Sequence, residues 1–218
     1  MSMMERVREF WEQLKFREVK LTYHGHACFT LEYEGAKAVI DPYAWGMVPG
    51  QPDLHLTANA VYCSHGHADH NFTQAVEIEE SPSLPWTVQE FTTPHDDCNG
   101  AKRGMNTVRI FHCGGIRVAH LGDIGCFPDE ELAKALKHVD VMMIPVGGYY
   151  TIGCQTAYQI IQAANPTVAI PMHYRTDSTG FDEISHIDDF IRLYPFVKTC
   201  EGTFELEEDT GRQILIMK

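Results

Sequence analysis

Apolar residues recur along the chain with two different periods, and the period changes near the middle. In residues 4–15, Val7, Phe10, Trp11 and Leu14 stand three and four apart, which predicts a short amphipathic helix packed on the body. Residues 19–24, 27–33 and 37–41 alternate or cluster apolar and β-branched side chains, with breaks at Gly25 and at Glu34-Gly35. They predict a β-meander that ends at Asp41-Pro42. A short apolar run, Ala60 to Cys63, predicts one more strand. Further strands are expected at 87–93, 107–112 and 115–120, the last two joined in a hairpin by Gly114-Gly115.

The second half has a βαβ rhythm. Residues 129–137 and 156–164 read as helices, and 139–145 and 167–171 as strands. Residues 203–207 and 212–217 are expected to close the chain as a hairpin across Asp209, Thr210 and Gly211. Strands first and alternation afterwards predict two sheets packed face to face with helices outside, and chemistry on the loops where strands end. At 218 residues and 44% hydrophobic content, with no repeat or low-complexity tract, the expectation is one domain spanning 1–218.

Charge narrows the partners. Seventeen Lys and Arg against thirty Asp and Glu give a formal charge of −13, so a polyanion meets repulsion and nucleic acid is disfavoured. The first residues carry charges every few positions, unlike a signal peptide, and no segment offers roughly 18 consecutive apolar residues for a membrane span. A cytoplasmic location is expected. The seven cysteines include no Cys-x-x-Cys pair and are odd in number, which predicts reduced, mostly buried thiols.

The chemistry concentrates in Ser64-His65-Gly66-His67-Ala68-Asp69-His70-Asn71, where three imidazoles and a carboxylate fall within six residues after an apolar strand. Nitrogen and oxygen donors without thiolates suit Zn²⁺, with Mn²⁺ or Fe²⁺ as alternatives. On a tight loop, His65 and His67 can turn toward one ion while Asp69 and His70 face a neighbouring one. Four more segments are noted in order: Tyr23-His24-Gly25-His26-Ala27 with Ile40-Asp41-Pro42, His120-Leu121-Gly122-Asp123, Pro145-Val146-Gly147-Gly148, and Ile170-Pro171-Met172-His173-Tyr174.

Together these segments resemble the metallo-β-lactamase superfamily, whose signature is His-x-His-x-Asp-His after a strand. The opening segment looks like the branch that contains ascorbate-phosphate lactonases and the phospholipase D acting on N-acyl ethanolamine lipids. The resemblance implies an α/β fold, an αββα sandwich of two packed mixed β-sheets with helices on the outer faces. It also implies two divalent ions, with His65, His67 and a third histidine on the first, Asp69, His70 and His173 on the second, and Asp123 bridging. His95, at the end of a predicted strand and before the stretch Gly100 to Asn106, is favoured as the third histidine over His112, which lies inside a strand.

The remaining histidines are less specific. His120 can sit behind the metal and orient a ligand, or serve as a buried hydrogen-bonded group. His24 and His26 would share a strand face, and one of them reaching the pocket is weighed evenly against structural packing. His55, His138 and His186 are expected at the surface. Lys102, Arg103, Tyr149, Tyr150 and Arg175 adjoin the motif loops, and Arg103 and Arg175 are the candidates for holding an anionic substrate group.

The expected activity is a metal-dependent hydrolase in which two ions activate a water, with Asp69 and Asp123 as the catalytic carboxylates. Its substrate would be a small ester, lactone, amide or phosphodiester that can carry an anionic group. The alternatives are an RNA nuclease, a non-hydrolytic di-iron redox protein, and a metal-binding module without catalysis. The nuclease is opposed by the −13 charge. The di-iron reading is opposed by histidine rather than Glu at position 67. A homo-oligomer is compatible with all of them.

Overall fold

The computed structural model describes Met4, residues 18–81 and residues 83–218. Apart from Met4, the helix expected at 4–15 lies outside the described residues. The predicted meander forms as β1 (Val19–Gly25), β2 (Cys28–Tyr33) and β3 (Ala36–Ile40), antiparallel throughout. Beside them, β5 (Ala60–Tyr62) joins β3 in parallel and β13 (Thr203–Leu206) joins β1, giving the sheet order β13-β1-β2-β3-β5. A two-stranded ribbon of β4 (Leu56–Ala58) and β6 (Val76–Ile78), absent from the sequence expectation, lies in the connections around β5.

The second sheet has the order β12-β14-β11-β10-β9-β8-β7. Its antiparallel half is β7 (Thr87–Pro94), β8 (Met105–Cys113) and β9 (Ile116–His120), with β8 and β9 turning at Gly114-Gly115 as expected. The parallel half is β10 (Val141–Pro145), β11 (Val168–Met172), β14 (Gln213–Met217) and β12 (Lys198–Cys200).

The expected C-terminal hairpin does not form. Strand β13 pairs with β1 in the first sheet, and β14 inserts between β11 and β12 in the second. The burial patterns give the reason. Ile214, Leu215, Ile216 and Met217 are buried on both faces and need an interior position in a covered sheet, whereas β13 alternates and buries only Leu206.

Between the sheets, alternate residues interdigitate: Leu21, Phe29, Leu31 and Ile40 from the first meet Phe111, Val118, Met143, Ile170 and Leu215 from the second. The opposite parity of the second sheet, including Ile110, Ala119, Met142, Ala169 and Ile214, packs under helices α1 (Glu130–Ala135), α2 (Cys154–Ala164) and α3 (Ile187–Ile191). Asp129 caps α1 by accepting from the Leu132 N–H, and Asn165 ends α2 in the left-handed conformation at φ +58. The short α3, capped by His186, was not expected from the sequence. These three α-helices lie on this side. The outer face of the first sheet is covered instead by Tyr43, Val48, Leu54, Ala58 and Ala75 on loops and ribbon.

All seven cysteines are free, but only Cys28 and Cys113 are fully buried. Six loops leave the C-terminal ends of β1, β3, β5, β7, β9 and β11, and His26, Asp41, His65, His95, Asp123 and His173 follow those ends within three residues.

Candidate metal centre

These loops bring seven donor residues together. His65, His67 and His95 form one group whose ligand atoms lie within 4.8 Å of one another, and Asp69, His70 and His173 form another, to which His26 belongs by the same distance. Asp123 lies between the groups. Its Oδ2 stands 3.2 Å from His70 Nε2, 3.2 Å from His173 Nε2, 3.4 Å from His95 Nε2 and 4.0 Å from His65 Nε2.

Those contacts are short, yet His65 Nε2, His70 Nε2, His173 Nε2 and Asp123 Oδ1 make no hydrogen bond although buried. Hydrogen bonding does not account for the cluster. Metal ligation does: two donors about 2.0–2.1 Å from one tetrahedral ion stand about 3.3 Å apart. The donor chemistry and the orphaned atoms therefore fit divalent ions.

Behind the donors, hydrogen bonds fix imidazole tautomers. Asp41, fully buried, accepts from the Ser64 N–H at 2.6 Å and the Ser64 hydroxyl at 2.6 Å, and from His70 Nδ1 at 2.8 Å. His65 Nδ1 in turn donates to Ser64 Oγ at 2.9 Å. As acceptor, the Asp41 carboxylate thus keeps the proton on Nδ1 of His70 directly and of His65 through Ser64, and leaves each Nε2 lone pair free for a metal. Asn106 holds the next turn, donating to Leu121 O and Thr93 Oγ1 while accepting from the Asp123 N–H at 2.9 Å. Gly122 adopts φ +53 there, and a Cβ would collide with Asn106 Oδ1 and Ser64.

Electrostatics agree with a cation site. Burial pushes His65 down to about 3, and His26 down to about 4, so both imidazoles are neutral donors. Against burial, the charges of His173 and His70 hold the Asp123 carboxyl well below its usual range. Against burial too, the carboxylates of Asp123 and Asp69 hold His70 well above its ordinary value, so among protein groups alone a proton on His70 balances them.

The other predicted positions fall into place individually. His112 pairs with Thr87 and Arg117 inside the second sheet and belongs to neither donor group. His120 accepts from the Gly122 N–H on Nδ1 at 3.1 Å, so Nε2 donates to Ala27 O at 2.9 Å and ties the Asp123 turn to the β1–β2 turn. His24 turns away from the donors to bond Thr30 Oγ1. His55 and His138 are exposed; His186 is half-buried as the cap of α3.

A cavity of about 540 Å³ opens on the donors, lined by His67, Asp69, His95 and Asp123 together with Met47, Arg103, Tyr150 and Phe181. A second hollow of about 630 Å³, beside His24, Gln51 and Tyr174, touches none of the donor residues. Arg103 reaches the first cavity because Asp96 gathers its loop, accepting backbone N–H bonds from Cys98, Gly100, Lys102 and Arg103. Although burial opposes ionisation, those four donors hold the Asp96 carboxyl well below the usual carboxylate range. The Arg103 guanidinium lies 5.5 Å from the Tyr150 ring centre and 6.0 Å from that of Tyr149. Arg175 does not join it. The Arg175 Nε is committed to Ile184 O at 2.9 Å, and the residue lines no part of this cavity. Lys102 pairs with Asp97 outside it.

Sequence reasoning assigned no role to Asp41, Ser64, Asn106 or Asp96. Asp41, Ser64 and Asn106 were visible within the segments named from the sequence, but the buried partners that give them a function are distant in sequence.

Residues 20–173 match the family described as Beta-lactamase superfamily domain. A UPF0173 metal-dependent hydrolase of Archaeoglobus fulgidus is 32% identical over 197 residues, covering 72% of this chain and 84% of that protein. Another from Methanospirillum hungatei is 30% identical over 207 residues, with coverage of 80% and 90%. A crystal structure from Thermotoga maritima, described as a candidate Zn-dependent hydrolase of the metallo-β-lactamase superfamily, superposes with TM-score 0.69 at 31% identity, covering 91% of this chain and 98% of that one. The chain belongs to the metallo-β-lactamase superfamily and, within it, to the UPF0173 family of metal-dependent hydrolases.

Proposed function

We propose that residues 1–218 form one binuclear hydrolase domain acting on a small substrate. His65, His67 and His95 would hold one divalent ion, Asp69, His70 and His173 the other, and Asp123 both; zinc is the first candidate. The observation that carries this reading is the Asp123 carboxylate, whose Oδ2 has four imidazole Nε2 atoms within 4.0 Å, contributed by three separate loops. Ions bound there would lower the pKa of a water toward about 7 and polarise a carbonyl or phosphoryl oxygen.

The chain's own groups do the rest. Asp69 lines the cavity wall, where its carboxylate can orient an attacking water. Arg103, held by its loop and stacked near two tyrosines, offers a guanidinium to a carboxylate or phosphate on the substrate. Met47, Tyr150 and Phe181 supply largely apolar walls. The cavity size suits a small ligand, and Arg103 is the one Lys or Arg among its lining residues. Together with the −13 charge, this favours a small ester, lactone, amide or phosphodiester over RNA. Lactones and phosphodiesters are also the bond types that the resemblance of the opening motifs implies. Among the described residues no helix is long and apolar enough to cross a membrane.

Metal analysis after gentle purification should find close to two transition-metal ions per chain, and Asp123→Ala should lower both metal content and turnover on a panel of lactones, phosphodiesters and amides. Stoichiometry near zero, or an Asp123→Ala variant with full metal and activity, would refute the proposal.

A further inference from the structure

His26 is buried in the site without belonging to the donors gathered around Asp123. It follows Gly25 at the end of β1, where Gly25 has φ +102 and His26 itself φ +54. A side chain at position 25 would run into Gln51. The His26 carbonyl accepts from the His173 N–H at 2.8 Å and from the Tyr23 hydroxyl at 3.1 Å, which locks the bend to β11. Its imidazole is 1% exposed and lies 4.1 Å from the His173 ring and 5.2 Å from that of His70. Nε2 stands 3.1 Å from Asp69 Oδ2, and Nδ1 has no partner.

We propose that His26 is a positioning residue for Asp69: it donates Nε2–H to Oδ2 and fixes the rotation of that carboxylate. The inference rests on the reading that Asp69, His70 and His173 hold an ion. A carboxylate's last torsion is broad and two-fold, so a ligand oxygen needs an external donor to hold it in one orientation. Oδ2 of Asp69 is also only 3.4 Å from His70 Nε2, which leaves it exposed to competing attractions. A neutral imidazole supplies a donor without placing a further positive charge beside a metal, as Lys or Arg would. Nε2 cannot both donate its proton to Asp69 and offer a lone pair to an ion, so through Nε2 His26 acts on Asp69 and not as a ligand.

The test compares His26→Ala and His26→Gln in the full chain, titrating Zn²⁺ against a competing chelator and recording the electronic spectrum of the Co²⁺-loaded protein. His26→Ala should weaken one of the two ions by about 10- to 100-fold, leave the other unchanged and keep the Co²⁺ band positions, because the ligand count is unaltered. His26→Gln retains an N–H donor and should recover most of the loss. Unchanged affinity in His26→Ala, failure of Gln to rescue, or a band shift reporting a lost ligand would each overturn the proposal. In the metal-free wild-type protein, a long-range ¹H–¹⁵N correlation should place the His26 proton on Nε2. A proton on Nδ1 overturns the proposal even where the variants fold poorly. Fewer than two ions on the wild-type chain would instead refute the binuclear reading.

Discussion

Asp41→Asn isolates the tautomer control from the packing around it. Asn has almost the same volume and is among the few residues that tolerate the left-handed φ of +50 found at this position. Its amide can take only one orientation. The Ser64 backbone N–H, 2.6 Å from Oδ1, cannot become an acceptor, so the amide oxygen must face it. The NH₂ then replaces Oδ2, opposite the Ser64 hydroxyl and His70 Nδ1. His70 can satisfy that NH₂ only by accepting on Nδ1, which moves its proton to Nε2 and blocks the metal lone pair. Ser64 Oγ would likewise accept from the amide and donate to His65 Nδ1, reversing His65 as well.

Restoring each ligand tautomer sets one buried donor against another and leaves it unsatisfied, at a cost of about 1–3 kcal/mol, or about 5- to 150-fold in affinity. Both ions should weaken, since the proposed assignment puts His65 on one ion and His70 on the other. Chelator competition on the metal-loaded chain measures each constant. Thermal unfolding of the metal-free variant separates this effect from a loss of fold. Ser64→Ala serves as the control that touches His65 directly and should weaken the first ion more than the second. If Asp41→Asn bound both ions as tightly as the wild type, the tautomer assignment would be wrong.

Two further outcomes follow from the cavity and the charge. Arg103→Ala should raise KM about tenfold for substrates with an anionic group and leave neutral substrates and metal content nearly unchanged, as comparative kinetics and metal analysis will show. RNA and single-stranded DNA should show no salt-sensitive binding near physiological ionic strength in an anisotropy titration; tight association with metal-dependent cleavage would favour the nuclease reading.

The sequence was most readable where function and local pattern coincide. The His-x-His-x-Asp-His run occupies one loop, so its density of donors is visible without knowing the fold. The β1–β3 meander and the β8–β9 hairpin also have their turns and periodicity within one segment. What was missed depends on distant partners. The run Ile214 to Met217 looks like either half of a hairpin until β11 and β12 are known to flank it. Arg175 stands two residues after His173 yet spends its Nε on the Ile184 carbonyl, a contact that adjacency to a motif cannot reveal. The opposite holds for His26, whose partner Asp69 is 43 residues away.

Backbone conformation connects these residues more closely than sequence does. His26, Asp41 and His173 have φ of +54, +50 and +54, and each is no more than 1% exposed. For an L residue with a Cβ this region costs about 1–2 kcal/mol. Glycine would relieve that strain at each position, but it would remove an imidazole or carboxylate that the site uses. All three bends come directly after a strand, at the ends of β1, β3 and β11, and two of them are joined by the His173 N–H to His26 carbonyl bond. The bends turn side chains out of the alternating pattern of the sheet, which would otherwise send consecutive residues to opposite faces. Strain here is therefore the condition for converging donors from several strands on one point, and a substitution that made this part of the backbone more comfortable would disperse them.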